Sequence, residues 1–350
     1  MSGVRRILSQ VLSLPTAPMH EEAVARFVRA FASRQGLGVR ADRFGNLLLR
    51  SGSGRPRYVV MAHMDHPGFE VVGHRGRRVI VKIRGGLDPR ASARARLRFF
   101  VGGQEIRGRG VGHLVTRASA GHRRPTMTFH AVTEQPVPRG AFAMFDIPPV
   151  RVTNGIVRAR AIDNIANCAL ILDLLATACR RRQPVMGVLT RAEEIGCVGA
   201  RALLRARALP HGVPVIVLET SSAKAAKVTI GAGPVIRVGD KVAAFDPVID
   251  MWLHHVASRL VKQGSFRFQR ALMPGGMTEG TYYMMEGLSV GSLAIPLGNY
   301  HNRGTNGPRP EQISWSDWRQ LKQLLLALCA APSPKKVLQQ VRRKLWRERE

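Results

Sequence analysis

His63 and Asp65 stand two residues apart at the end of the apolar run Tyr58-Val-Val-Met-Ala62, and alternate side chains of a strand share one face. An imidazole placed there can bind a metal ion through one ring nitrogen while the carboxylate fixes its orientation, a pairing usual at histidine metal sites. The same spacing also describes a structural histidine. Asp163 and Asn164 follow the strand-like run Ile156-Val-Arg-Ala-Arg-Ala-Ile162 and open the next helical stretch. Asp163 is then either an ordinary helix N-cap or a carboxylate bridging two metal ions about 3.5–4 Å apart, the separation that two-metal hydrolysis uses.

Glu193 and Glu194 follow the apolar strand Val185-Met-Gly-Val-Leu-Thr190 and precede Ile195-Gly196. Adjacent acids at a strand mouth repel each other unless a cation compensates, and a metal ion does so with one carboxylate as ligand and the other free as general base. A solvated acidic turn is the alternative. Glu219 ends the apolar run Val213-Pro-Val-Ile-Val-Leu218, and His301 follows Ser292-Leu-Ala-Ile-Pro-Leu297. The histidines and carboxylates thus gather at strand ends, and the expected meeting place is the carboxyl edge of one sheet, where open α/β folds keep their sites. Oxygen and nitrogen donors without thiolate suit zinc, cobalt or manganese.

The elements that must position these groups follow from apolar periodicity. Helices are expected over residues 3–14 and 20–35, then a turn and strand over 42–49 and a buried strand over 58–62. From residue 71 to about 152 the pattern changes to short β pieces between glycine-rich turns, which predicts an inserted small β domain. After Ile162 helices and strands alternate, predicting an α/β unit. These include a helix over 166–178, strands over 185–189 and 213–218, and a helix over 247–262. The domain expectation is therefore a discontinuous unit of residues 1–70 and 153–333, an insertion of 71–152, and a basic amphipathic helix or tail over 334–350.

The 350 residues allow such a two-part chain, and they hold 54 Lys and Arg against 23 Asp and Glu, a formal charge of +31. That balance favours acidic peptides, nucleic acid or anionic surfaces as partners; an arginine-rich solvated surface without a dedicated partner is the other reading. Between residues 71 and 130 there are fourteen Arg or Lys and two acids, Asp88 and Glu105, so the insertion carries much of the excess. The four cysteines are scattered, which argues against a disulfide framework or thiolate zinc site and fits a reducing cytoplasm. No apolar run reaches membrane-spanning length. Aromatic residues make up 6% of the chain and form no stacking series, which ranks a nucleic-acid-binding protein below an enzyme.

The strings Ala62-His-Met-Asp-His-Pro-Gly68, Arg160-Ala-Ile-Asp-Asn164 and Ala192-Glu-Glu-Ile-Gly-Cys-Val-Gly-Ala200 occur in that order. Gly231-Ala-Gly-Pro-Val-Ile-Arg237, Gly275-Gly-Met-Thr-Glu279 and Asn299-Tyr-His301 follow them. Together they resemble the glutamyl and deblocking aminopeptidase family of tetrahedral metallopeptidases, over nearly the whole chain. The resemblance implies a three-layer α/β/α zinc-peptidase domain with a mixed sheet and an inserted small β-barrel-like domain. It implies two divalent ions per subunit, zinc foremost, with cobalt or manganese as alternatives. One would lie on His63, Asp163 and Glu219 and the other on Asp163, Glu194 and His301, with Asp163 bridging. Glu193 would be the general base and Asp65 would orient His63. The implied activity is removal of N-terminal residues from peptides by a cytoplasmic homo-oligomer; a related di-zinc carboxypeptidase or amide deacylase is the enzymatic alternative. The alternative of another class is a non-catalytic, basic nucleic-acid-binding homologue. The chain departs from the family pattern at Glu219, where Asp is usual, at Ile165, where Arg is common, and at Glu279, which replaces the Asp of a Thr-Asp pair.

Overall fold

Strands buried on both faces form the centre of the molecule. In the computed structural model, which describes residues 3–117, 125–264 and 266–347, every residue of strands Val59–His63, Met186–Thr190 and Val290–Leu297 is buried. Their sequences are continuous apolar runs, as expected of strands covered on two sides. The eight-stranded sheet has the spatial order Gly38–Ala41, Leu47–Arg50, Met186–Thr190, Val59–His63, Val215–Ser222, Val290–Leu297, Val235–Gly239 and Gln269–Leu272. The four middle strands, from Met186–Thr190 to Val290–Leu297, run parallel. Leu47–Arg50 and Val235–Gly239 join them antiparallel, so the sheet is mixed.

Alternation along the strands builds two cores. Tyr58, Val60 and Ala62 pack into a large apolar cluster with the helices Gly3–Leu12, Ile165–Arg180, Pro247–Lys262 and Trp315–Ala330. Val59 and Met61 point the other way, into a cluster with Leu203 and Tyr283 of helices Val198–Arg205 and Glu279–Met285. Helix, sheet and helix are thus the three layers, and the expected fold class is borne out. Helix Ile165–Arg180 is apolar almost all round, consistent with burial against both the sheet and Trp315–Ala330. Trp318 fixes their contact by donating from Nε1 to the Ala166 carbonyl at 2.9 Å.

A closed six-stranded antiparallel barrel is formed by strands Gly68–Arg75, Arg78–Arg84, Thr126–Thr133, Gln104–Arg117, Arg96–Val101 and Phe142–Phe145, in that order around the wall. Part of residues 71–152, namely 118–124, lies outside the described residues, as do 348–350 of the C-terminal stretch. The barrel has its own core, in which Phe69 meets Phe129 and Phe145 edge to face. Gly110 is required in its wall: a Cβ there would lie 2.3 Å from the Ala93 carbonyl oxygen.

Two local expectations need correction. The strand before Asp163, Ile156–Ala159, is not in the main sheet; it lies in a separate three-stranded sheet between Val150–Thr153 and Glu311–Ser314. Glu219 does not end its strand, because pairing with Val290–Leu297 extends the strand to Ser222. The C-terminal helix Pro334–Arg347 buries Val337, while Leu345 and Trp346 are 59% and 60% exposed.

Candidate metal centre

The ends of three middle strands bring the chemistry together. His63 is the last residue of its strand; Glu193 and Glu194 follow Met186–Thr190; His301 lies beyond Val290–Leu297 in a short 3-10 turn; and Glu219 projects from within Val215–Ser222. Asp163 arrives from outside the sheet, between Ile156–Ala159 and the helix Ile165–Arg180. Asn164, not Asp163, occupies the N-cap of that helix, which removes the capping explanation for Asp163. The Asp163–Asn164 peptide bond is cis. His301 has φ 54° and ψ 40°, a left-handed conformation that a non-glycine residue adopts only when its surroundings impose it.

Each ring is held from behind. His63 Nδ1 lies 3.0 Å from the Asp65 carbonyl oxygen and 3.4 Å from its carboxylate, leaving Nε2 to face the cluster. There His63 Nε2 is 3.6 Å from Asp163 Oδ1, 3.8 Å from Glu219 Oε2 and 3.9 Å from Glu193 Oε2. His301 Nδ1 lies 3.1 Å from the Gly86 carbonyl, and its Nε2 is 3.2 Å from Glu194 Oε1 and 3.5 Å from Asp163 Oδ2. The two oxygens of Asp163 therefore face different histidines. Metal-sized triplets of ligand atoms form at His63, Asp163 and Glu219, at Asp163, Glu194 and His301, and at His63, Glu193 and Glu194, each within 4.8 Å.

Asp65 does more than orient His63. Its Oδ1 accepts from the Glu193 backbone N–H and its Oδ2 from that of Glu194, both at 3.0 Å, so it fixes the acidic turn as well. Replacing Asp65 by Asn removes one of these acceptors and leaves a backbone N–H facing an amide. A drop in kcat of about 10–100-fold is expected, the range for a residue that supports ligands from behind. Parallel measurements of kcat and metal affinity check this; unchanged values for both would show that the turn holds without the carboxylate.

Glu311 gave no signal in the sequence, since it stands alone in a loop-like stretch, yet it ties the two histidine sides together. Its Oε2 accepts from the N–H groups of Ile162 and Asp163 at 2.7 and 3.0 Å, and its Oε1 accepts from His301 N–H at 2.8 Å. His66 Nε2 stands 3.2 Å from the same carboxylate. Thr220 Oγ1 donates to Asp163 Oδ1 at 2.9 Å, and its place directly after Glu219 was the available clue. Beside these side chains an open cleft begins, lined by Ser222, Arg237, Met273, Thr278 and Tyr300.

Another string has a different fate. Gly287-Leu-Ser-Val-Gly291 fits the pattern of a serine nucleophile elbow, but that device needs its serine between a strand and a following helix. Ser289 is exposed and lies between the helix Glu279–Met285 and the strand Val290–Leu297, the reverse order.

The electrostatics ask for added positive charge. Burial pushes the Glu193 carboxyl well above its ordinary range, and the neighbouring Glu194 and Glu219 charges add to this against the opposing effect of His63. Burial drives Glu219 up to about 8 and Glu279 up to about 7. Burial works to lower His63 and His301, but the carboxylates around them win and hold both well above the usual imidazole value. Among the described residues, His301 Nε2 and both carboxylate oxygens of Glu279 are buried and find no well-aligned hydrogen-bond partner. Clustered, buried carboxylates with two inward imidazole nitrogens fit divalent cations, which would ionise the acids and turn neutral nitrogen toward the charge.

A family profile described as M42 glutamyl aminopeptidase matches residues 45–305. Among solved structures, the TET1 peptidase of Pyrococcus horikoshii, which can assemble into a tetrahedron or a large octahedral shell, superposes with TM-score 0.75 at 19% identity, covering 93% of this chain and 99% of that one. A TET aminopeptidase from a marine sediment thaumarchaeon gives TM-score 0.78 at 16% identity, covering 95% and 98%. At these identities the structural likeness establishes the fold. A curated relative, the [LysW]-lysine hydrolase of Deinococcus radiodurans, is 27% identical over 90 residues, which span 26% of this chain and 25% of that protein.

Proposed function

The chain belongs to the M42 glutamyl aminopeptidase family, and from that premise we propose that it is a metal-dependent aminopeptidase that removes N-terminal residues from peptides through two divalent cations. The observation that carries this reading is Asp163, whose two carboxylate oxygens face His63 and His301 separately. In this reading His63, Asp163 and Glu219 hold one ion and Asp163, Glu194 and His301 the other. Zinc is the expected metal, and cobalt and manganese suit the same donors. Residues 1–70 and 153–333 form the catalytic unit, residues 71–152 an inserted domain, and residues 334–350 a tail. The working form is a cytoplasmic homo-oligomer, in keeping with the assemblies named for the Pyrococcus horikoshii relative. Among the described residues no helix is long and apolar enough to cross a membrane.

Divalent cations in this site would supply Lewis acidity and lower the pKa of water toward neutrality. The chain's own part is proton transfer and positioning. Glu193, at the mouth of its strand, takes a proton from the attacking water and returns it to the leaving amine. Asp65 holds Glu193 and Glu194 by their backbones, and Glu311 holds Asp163 and His301 in the same way.

A matched set of peptides free at both ends, blocked at the N-terminus, or blocked at the C-terminus tests the assignment. Cleavage is expected only where the N-terminus is free, and it should stop with a chelator. Cleavage confined to peptides with a free C-terminus would establish the carboxypeptidase alternative. Hydrolysis of N-acylated substrates alone would establish the deacylase.

A further inference from the structure

The barrel wall carries a row of arginines that the catalytic site does not use. Arg75 is paired with Arg78 across adjacent strands, Arg78 with Val132, Val132 with Arg109, and Arg109 with Arg96. Directly opposed residues on antiparallel strands point to the same face, and all five are exposed, so the row lies on the outside of the barrel. It crosses five neighbouring strands, about 19 Å at roughly 4.8 Å per strand. Arg107, two residues before Arg109 on the same strand, is also exposed and adds a cation beside the row.

Like charges directly opposite one another destabilise a sheet. Here two such pairs, Arg75 with Arg78 and Arg96 with Arg109, stand in one row without neutralisation. Among the described residues the barrel's ion pairs are Arg84 with Glu70 and Arg98 with Glu105 and Asp146, and none of them involves the row. A linear array of unneutralised guanidinium groups is matched by a linear polyanion. We propose that this face of the barrel binds the phosphate backbone of nucleic acid without sequence preference.

The other occupants fit less well. A second copy of this chain meeting the row about a two-fold axis would bring the same arginines against themselves. A flat bilayer would touch only the crest of a curved wall. The large apolar side chains exposed on the barrel are Ile80, Val111 and Val132, and among the described residues no exposed Phe, Tyr or Trp stands there, so a Phe, Tyr or Trp platform for bases and an interfacial aromatic anchor are both missing. Phosphate contact alone remains, and it carries no sequence information. The row also lies away from the metal centre. Gly86, whose carbonyl meets His301, follows the far end of the strand Arg78–Arg84, while Arg78 starts it, about 20 Å away at roughly 3.3 Å per residue. A bound polyanion at the row would therefore leave the cleft open.

The test measures fluorescence anisotropy of a labelled mixed-sequence 20-base-pair duplex with the full-length protein between 50 and 200 mM KCl. The expected result is binding that weakens steeply with salt. The quadruple variant R75S/R78S/R96S/R109S is expected to bind at least tenfold more weakly, with the slope of log affinity against log salt reduced by about 3–4, near 0.9 per lost phosphate contact. Removing like-charge repulsion should leave its melting temperature unchanged or higher, and the all-lysine variant at the same positions should restore binding. An equal loss in R26S/R29S/R34S/R40S, four exposed arginines outside the barrel, would overturn the proposal in favour of diffuse net charge. Failure of the wild-type protein to bind the duplex, or binding only to phosphatidylserine vesicles, would also overturn it.

Discussion

Replacing Glu193 by Gln is expected to lower kcat by about a thousandfold, within the range for loss of a general base, while both metal ions stay bound. The amide matches the carboxylate in shape but cannot take a proton from water. KM should change little, because the ligand set and the cleft are untouched. The metal content of the variant carries as much information as its rate. Glu193 Oε2 stands 3.9 Å from His63 Nε2, almost as near as Glu219 Oε2 at 3.8 Å, so geometry alone leaves either acid as the third ligand beside His63. A Glu193→Gln protein that is inactive but fully metallated makes Glu193 the base and Glu219 the ligand. Loss of one metal equivalent would reverse those roles, and undiminished turnover would remove Glu193 from the mechanism.

Asp163 is expected to be the most costly ligand to lose. Because its oxygens face both histidines, Asp163→Ala should abolish binding of both ions together, with hydrolysis falling by more than about a thousandfold as the metals' contribution disappears. A ligand serving one ion would lose one equivalent only, and metal analysis distinguishes the two outcomes. The metal-free wild-type protein has a further signature. Its Glu219 and Glu279 titrate at about 8 and about 7, against an ordinary 4.5. Between 4.5 and these values the folded state holds protons that the unfolded chain has released, so stability is highest at low pH and falls as pH rises. His63 and His301, both raised, act in the same direction above the ordinary imidazole value of 6.5. The metal-free protein is therefore expected to melt on the order of 5 °C lower at pH 8 than at pH 5, from a few kcal/mol of linked titration. Added zinc should erase most of that difference, since bound cations ionise the acids in the folded state. A metal-free protein that gains stability between pH 5 and pH 8 would show that these acids are not crowded in the folded chain.

What the sequence made legible depended on how local the physics was. Pro247–Lys262 matches its expected span because Asp246 caps the helix and Pro247 stands at its first turn, both readable in place. The buried strand ending at His63 was equally legible from its continuous apolar run. The sheet to which Ile156–Ala159 belongs was not, because four strand-like residues do not reveal their partner. Besides the neighbouring Val150–Thr153, its partner is Glu311–Ser314, more than 150 residues away. Glu219 was misplaced at a strand end for a related reason: parallel pairing with Val290–Leu297 carries the strand on through Thr220, Ser221 and Ser222. Glu311 was missed altogether, since its role consists of hydrogen bonds to the backbone of Ile162 and Asp163, separations of 149 and 148 residues. Side chains that act on substrate are recognisable by type and setting. Those that hold other residues in place become visible only when the chain is folded.

The arginine row adds a second layer to the account of charge. The excess of +31 says little by itself about where a partner would bind. Register does: four arginines scattered through four strands become one exposed line because antiparallel pairing places them on the same rung.

The central claim is a pair of cations bridged by Asp163, and a metal titration of the chelator-stripped protein tests it most directly. Zinc is added in increments while bound metal per chain and hydrolysis of an N-terminally free peptide are followed together. The account predicts saturation at two equivalents per chain, with activity appearing as the second site fills. Saturation at one equivalent with full activity, or full activity in the stripped protein, would contradict it.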